Sequence, residues 1–160
     1  AGPRGRAPAP HHLPQAHPGL SRVAPYRTLA QMRWSDMDAL GHVHNAAFLQ
    51  YFELARARLV FELMGVPHRP DASLVVGRHE IDYLRPLVYR SEPVAVDTAV
   101  RSIGTTSFTL AGDVREPAGD GAPYARIVTV IVAIDVGTGS PVPISDSVRA
   151  ALAEYSELAG

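Results

Sequence analysis

Residues 46–64 constrain the fold more than any other stretch. Phe48, Phe52, Ala55, Leu59 and Leu63 recur at three- and four-residue intervals, the spacing of one face of an α-helix. Leu54, Val60, Phe61 and Met64 fall on the other side, so the helix is apolar nearly all round. Gly65 and Pro67 supply a stop signal, which predicts one helix of about five turns. Such a helix has to be covered on several sides, and the remaining chain must supply most of that cover.

That remainder reads as strands. Tyr26, Thr28, Ala30, Met32 and Trp34 alternate with Arg27, Leu29, Gln31 and Arg33, the period of a strand with one drier face. After the helix come four more runs, Leu74 to Leu84, Val94 to Ile103, Ser107 to Arg115 and Tyr124 to Val136. Pro86 to Pro93, Gly104-Thr105 and Pro117 to Pro123 separate them. Within the last run, Ile127 to Ile134 has almost no polar face and predicts a strand covered on both sides. A capped terminal helix is expected over Ser145 to Glu157, with Ser145 or Asp146 as the cap. One strand, a long helix and then four successive strands predict an α+β domain with a mostly antiparallel sheet on one central helix.

At 160 residues the chain fits a single domain, and 46% apolar with 19% charged residues supports a core. Residues 1–25 differ: prolines scattered among Gly, Ala, Arg and His leave too little apolar surface to bury, so a tail is expected before a domain over 26–160. His11, His12 and His17 lie in that tail without fixed geometry and are read as solvated rather than as ligands. The formal net charge of −1 gives no general electrostatic attraction to nucleic acid or to an anionic membrane. All fifteen basic residues are arginine, read first as a composition bias. There is no cysteine, which excludes disulfides, thiolate metal sites and a cysteine nucleophile. No run approaches a membrane span and no apolar secretion signal is visible, so a cytoplasmic protein is expected.

Chemistry concentrates between the first strand and the helix. Asp36-Met37-Asp38-Ala39-Leu40-Gly41-His42-Val43-His44-Asn45 packs two carboxylates, two imidazoles and a glycine turn against a helix start. A helix start offers unpaired N–H groups and the positive end of the macrodipole, a setting that stabilises an oxyanion. The spacing alone does not choose between Asp36 and Asp38. The longer run, Asp-x-Asp-x-x-Gly-His-Val-x-Asn-x-x-Phe-Leu-x-Tyr-Phe-Glu-x-Ala-Arg, resembles the signature of the hot dog thioesterases, specifically the 4-hydroxybenzoyl-CoA thioesterase-like acyl-CoA hydrolases. The resemblance covers roughly Tyr26 to Ile144. It implies the hot dog fold, a curved antiparallel sheet of about five strands around a long helix.

The resemblance implies an acyl-CoA thioesterase that releases a carboxylic acid and CoA, with CoA as part of the substrate and no cofactor. It assigns the chemistry to Asp38, as nucleophile or general base, and the oxyanion donor to the backbone N–H of Asn45. Asp36 stays in reserve. So does Glu53, at the depth where a second hot dog subgroup carries its acid, although an ion pair with Arg56 is the favoured reading. The family's usual His-Val-Asn-Asn is His-Val-His-Asn here, which leaves His44 as a pocket residue, a general acid or a cap. Phe48, Tyr83 and Arg85 are further candidates for substrate contact, with core packing and a surface ion pair as the plainer readings. No metal site is expected, since His42, His44 and the aspartates match the thioesterase pattern better than a zinc set. Self-association as a homodimer or homotetramer is expected, because open strand edges and the apolar back of the helix need cover. Two other readings have the same fold: a hydratase or dehydratase with a His/Asp dyad, and an acyl-carrier binding module without an acid.

Overall fold

The structure, a computed structural model, describes residues 24–63, 65, 72–119 and 121–156. His11, His12 and His17 of the expected tail lie outside them, as does Met64. Strands β1 (Tyr26–Ala30), β2 (Ala72–Tyr83), β3 (Val94–Ile103), β4 (Ser107–Arg115) and β5 (Ala125–Asp135) form one antiparallel sheet in the order β1-β3-β4-β5-β2. The helix α1 (Asn45–Ala57) lies across one face, and a shorter helix α2 (Asp146–Ala153) packs near the end of β3. This is the hot dog arrangement.

Register and pleat decide which side chains meet α1. Thr98, Gly112 and Ile127 share a row across β3, β4 and β5, and a Cβ added at Gly112 would collide with the Phe52 ring. That face therefore carries the core: Val94, Val96, Val100, Phe108, Leu110, Val114, Ile127 and Ile131 are buried against Phe48, Phe52, Ala55 and Leu59. The next row, Arg27, Asp97, Asp113 and Arg126, points away from the helix. There Arg27 holds Asp97 at 2.6 and 2.8 Å, and Arg126 Nε lies 3.2 Å from Asp113. Burial nonetheless pushes the Asp113 carboxyl above its ordinary value, with Arg126 and Arg115 only partly opposing it.

The observed elements depart from expectation in three places. The first strand ends at Ala30; Trp34 starts a short 3₁₀ turn (Trp34–Asp36), is 73% exposed and meets the Tyr89 ring edge-on. The chain leaves the sheet there because the Asp36 carboxylate accepts the Arg33 N–H at 2.9 Å, which closes a turn instead of extending a strand. The five-turn helix changes character after Ala57, where Arg58–Leu63 continues as a wider π-helical turn. Along β5, burial alternates: Ile127, Thr129 and Ile131 are enclosed, whereas Val128, Val130 and Val132 are only half-buried. The cover expected on both faces is thus complete on the helix side alone. At the C-terminus Ser145, not Asp146, caps α2, its hydroxyl accepting the Val148 N–H at 3.4 Å. No helix among the described residues is long and apolar enough to cross a membrane.

Candidate active site

The two aspartates have opposite surroundings. Asp36 is 2% exposed. Its carboxylate accepts the Tyr51 hydroxyl at 2.7 Å, the Arg33 N–H at 2.9 Å and Arg33 Nε at 3.1 Å. Burial would raise this carboxyl, but those donors outweigh it and hold it below the usual carboxylate range. The same bond and the same burial push the Tyr51 phenol well up. Asp36 also fixes the helix entry through its backbone, since its carbonyl accepts the His44 N–H at 2.8 Å. With every near face occupied, Asp36 anchors the loop and has no free edge for a substrate.

Asp38 is exposed. Met37 and Val43 pair across the base of a tight loop, and the Asp38 N–H donates to the His42 carbonyl at 2.8 Å. One carboxylate oxygen accepts the Leu40 N–H at 2.8 Å and the His42 N–H at 3.4 Å. The other carboxylate oxygen has no partner among the described residues. Gly41 makes the loop: its φ of +82° lies where an L side chain is strained, and its N–H donates to the Asp38 carbonyl at 3.2 Å. The backbone thus holds Asp38 by one oxygen and presents the other.

The loop delivers the chain into α1 at His44. Its Nδ1 accepts the Ala47 N–H at 3.2 Å, so His44 caps the helix. The other ring nitrogen is not engaged by that bond. Asn45 is the first helical residue, and its N–H has no carbonyl a turn earlier to donate to. Tyr83, at the end of β2 and 45% exposed, donates its hydroxyl to the Asn45 carbonyl at 3.1 Å. Its ring meets Phe48 edge-on, with centroids 5.6 Å apart. Asn45, Phe48 and Tyr83 are therefore gathered at the helix start, and the Asp38 loop leads into it through the Met37–Val43 pair and the His44 cap. Phe48 is buried and serves the core as well.

Glu53 and Arg85 are placed elsewhere. Glu53 is gripped by Arg56 at 3.0 and 2.5 Å, the ion pair favoured by the sequence. Across from it, His79 Nε2 is 3.9 Å from the Glu53 carboxylate, while His79 Nδ1 is 2.8 Å from the enclosed Thr129 hydroxyl. Arg85 lies over the Tyr124 ring at 3.7 Å, a cation–π contact rather than a surface ion pair. Tyr51, His79 and Thr129 were not legible as site residues: each has an ordinary core or strand position, and only folding brings Tyr51 to Asp36, His79 to Glu53 and Thr129 to His79. Among the described residues, no three His, Asp or Glu side chains converge as metal ligands.

Comparison with known proteins agrees with this architecture. A Pseudomonas aeruginosa protein superposes with a TM-score of 0.76 at 22% identity, covering 86% of this chain and 95% of its own, a likeness of fold. A predicted thioesterase from Bacillus stearothermophilus is 29% identical, with a TM-score of 0.71 and coverage of 83% and 97%. A thioesterase from Thermus thermophilus, solved with coenzyme A and zinc, is 31% identical, with a TM-score of 0.67 and coverage of 82% and 94%. No curated protein matches the sequence. Residues 32–152 match the model of the thioesterase-like superfamily, a span that takes in the aspartate loop, the capped helix and every strand but the first; the chain belongs to that superfamily.

Proposed function

We propose that the chain is an acyl-CoA thioesterase, hydrolysing the thioester to a free carboxylic acid and CoA. The observation that carries this reading is the outward carboxylate oxygen of Asp38, held by a glycine turn on the loop that leads into a helix whose first N–H is unpaired. In one form, Asp38 accepts a proton from water as its oxygen attacks the carbonyl. In the other, Asp38 attacks directly to give a mixed anhydride that water then opens. In both, negative charge develops on the carbonyl oxygen, and the Asn45 N–H with the helix dipole behind it stabilises that charge. The C–S bond then breaks and the thiolate leaves. The solved Thermus thermophilus thioesterase that carries coenzyme A supports CoA as the carrier. Release of free thiol across a panel of acyl-CoA esters tests the reading, and no release from any ester would overturn it.

The working unit is an oligomer. Strand β2 is twelve residues long and occupies the end of the sheet, so its outer edge is open among the described residues. On the far side of α1 Leu54 is 40% exposed, in the π-helical turn that follows, Phe61 is 55% exposed, and on the far face of β5 Val128, Val130 and Val132 are half-covered. A second copy closes such edges and faces, and it would enclose the Asp38 loop, which the single chain leaves in water. Light scattering at assay concentration checks this; a fully active monomer would refute it.

A further inference from the structure

Two lines of side chains run along the seam where α1 meets the edge strand β2. On the helix, Asn45, Leu49 and Glu53 follow at four-residue intervals, so they stack on one face. On the strand, Tyr83, Ile81 and His79 follow at two-residue intervals, on the face turned toward the helix. The two lines meet at both ends. Tyr83 bonds the Asn45 carbonyl at 3.1 Å at one end, and His79 faces Glu53 at 3.9 Å at the other. Between the ends the two lines carry the half-buried apolar Leu49 and Ile81.

The seam thus has a polar start at the proposed oxyanion donor, an apolar middle and a polar end. Eight helical residues separate the ends by about 12 Å, and four strand residues span about 14 Å. The far pair is spaced for a guest. A separation of 3.9 Å is too long for a hydrogen bond, yet one oxygen can sit at about 2.8 Å from both atoms. The pair also offers one acceptor and one donor. Glu53 accepts, its charge already matched by the two-pronged grip of Arg56. Thr129 is fully enclosed and lies 2.8 Å from His79 Nδ1; in the tautomer where its hydroxyl donates there, the ring proton sits on Nε2, facing Glu53.

We propose that this Glu53–His79 pair is a specificity subsite that binds a hydroxyl at the far end of the acyl chain. The inference rests on the thioesterase reading, with the acyl carbonyl at the Asn45 N–H. An extended chain advances about 1.2 Å per bond, as an extended backbone does at about 3.3–3.6 Å per three bonds, so about ten carbons span the seam of about 12 Å. The substrate class is therefore a medium-chain ω-hydroxyacyl thioester. A terminal carboxylate fits less well, because it would meet the Glu53 carboxylate, whose counter-charge is already bound.

Calorimetric binding of non-hydrolysable ketone analogues of decanoyl-CoA and ω-hydroxydecanoyl-CoA tests this without requiring turnover. The full-length protein is expected to bind the hydroxyl analogue about tenfold tighter, the effect of one well-made hydrogen-bonded group. His79→Leu combined with Thr129→Val, which leaves no buried hydroxyl unpaired, is expected to abolish that preference and keep the affinity for the plain chain. His79→Gln, which keeps a donor on the strand, recovers part of the preference. Equal affinities in the wild type, or a preference that survives the double variant, overturn the subsite and leave the thioesterase reading standing. Tighter binding of a terminal carboxylate analogue overturns the hydroxyl assignment. Absence of binding by every analogue overturns both.

Discussion

Replacing Tyr51 by Phe removes a single oxygen and tests what holds the aspartate loop. The ring stays, and with it the edge-on contact to Phe48 at 6.4 Å. The hydroxyl that donates to Asp36 at 2.7 Å is lost, between two side chains that are 3% and 2% exposed. A hydrogen bond to a buried charge contributes about 1.5–3 kcal/mol, so about 2 kcal/mol of stability should go. The remaining donors come from Arg33, whose side chain is 62% exposed and cannot move inward to replace the phenol. For a chain of this size that corresponds to a fall in Tm of about 5 °C. Urea unfolding should show a lower midpoint with unchanged slope. The sign with pH follows from the depressed Asp36 carboxyl. Its stabilisation is complete above the unfolded value of about 4 and is lost as pH falls through the lower folded value. The gap between wild type and variant should therefore hold above about pH 4 and narrow as the pH falls below it. A loss under about 0.5 kcal/mol at neutral pH, or a gap indifferent to acid, would refute the role given to this bond.

Asp38→Asn should lower turnover about 100-fold or more with the melting curve unchanged, since Asp38 is exposed and its amide keeps the loop's acceptor oxygen. Normal turnover in that variant, with Asp36→Asn or Glu53→Gln inactive, would move the chemistry to the other acid. Gly41→Ala meets no atom but forces a side chain into the left-handed region at φ +82°, at about 1–2 kcal/mol; turnover should fall more than stability because the strain is local to Asp38. Gly112→Ala places a methyl in the Phe52 ring and should cost about 1–3 kcal/mol by urea unfolding, with no selective effect on KM.

The strands were legible because their signal is local. Turns rich in Pro and Gly punctuate the sequence at β3, β4 and β5, and each predicted run matches the observed strand to within a residue or so. The failures are places where a tertiary bond overrode the local pattern. Trp34 continues the alternation begun at Tyr26, and nothing in its own neighbourhood announces that Asp36 will pull the Arg33 N–H into a turn. His44 and Glu53 each admit two readings in the sequence, which only their partners separate: the Ala47 N–H for one, Arg56 and His79 for the other. His79 and Thr129 are distant by fifty residues and adjacent only through the β2–β5 register. Pairwise chemistry across a sheet has no sequence signature until the register is known.

Asp36 and Asp38 show how one short motif divides into a buried anchor and an exposed carboxylate. Two residues apart on a continuous strand, both carboxylates would face the same side and compete for the same surroundings. The turn begun at Trp34 breaks that equivalence. Asp36 goes inward, where three donors fix its carboxylate and its carbonyl positions His44 at the helix entry. Asp38 goes outward, where a glycine turn leaves one oxygen available. The Asp36 carbonyl fixes the helix entry at His44, and on the proposed mechanism it thereby places the Asn45 N–H relative to the Asp38 loop. Weakening Asp36 should therefore reach the reaction indirectly. Tyr51→Phe is expected to lower kcat while leaving KM nearly unchanged, since it loosens the geometry of the acid without touching an acyl-binding surface. A rise in KM at constant kcat would instead make Tyr51 part of the pocket.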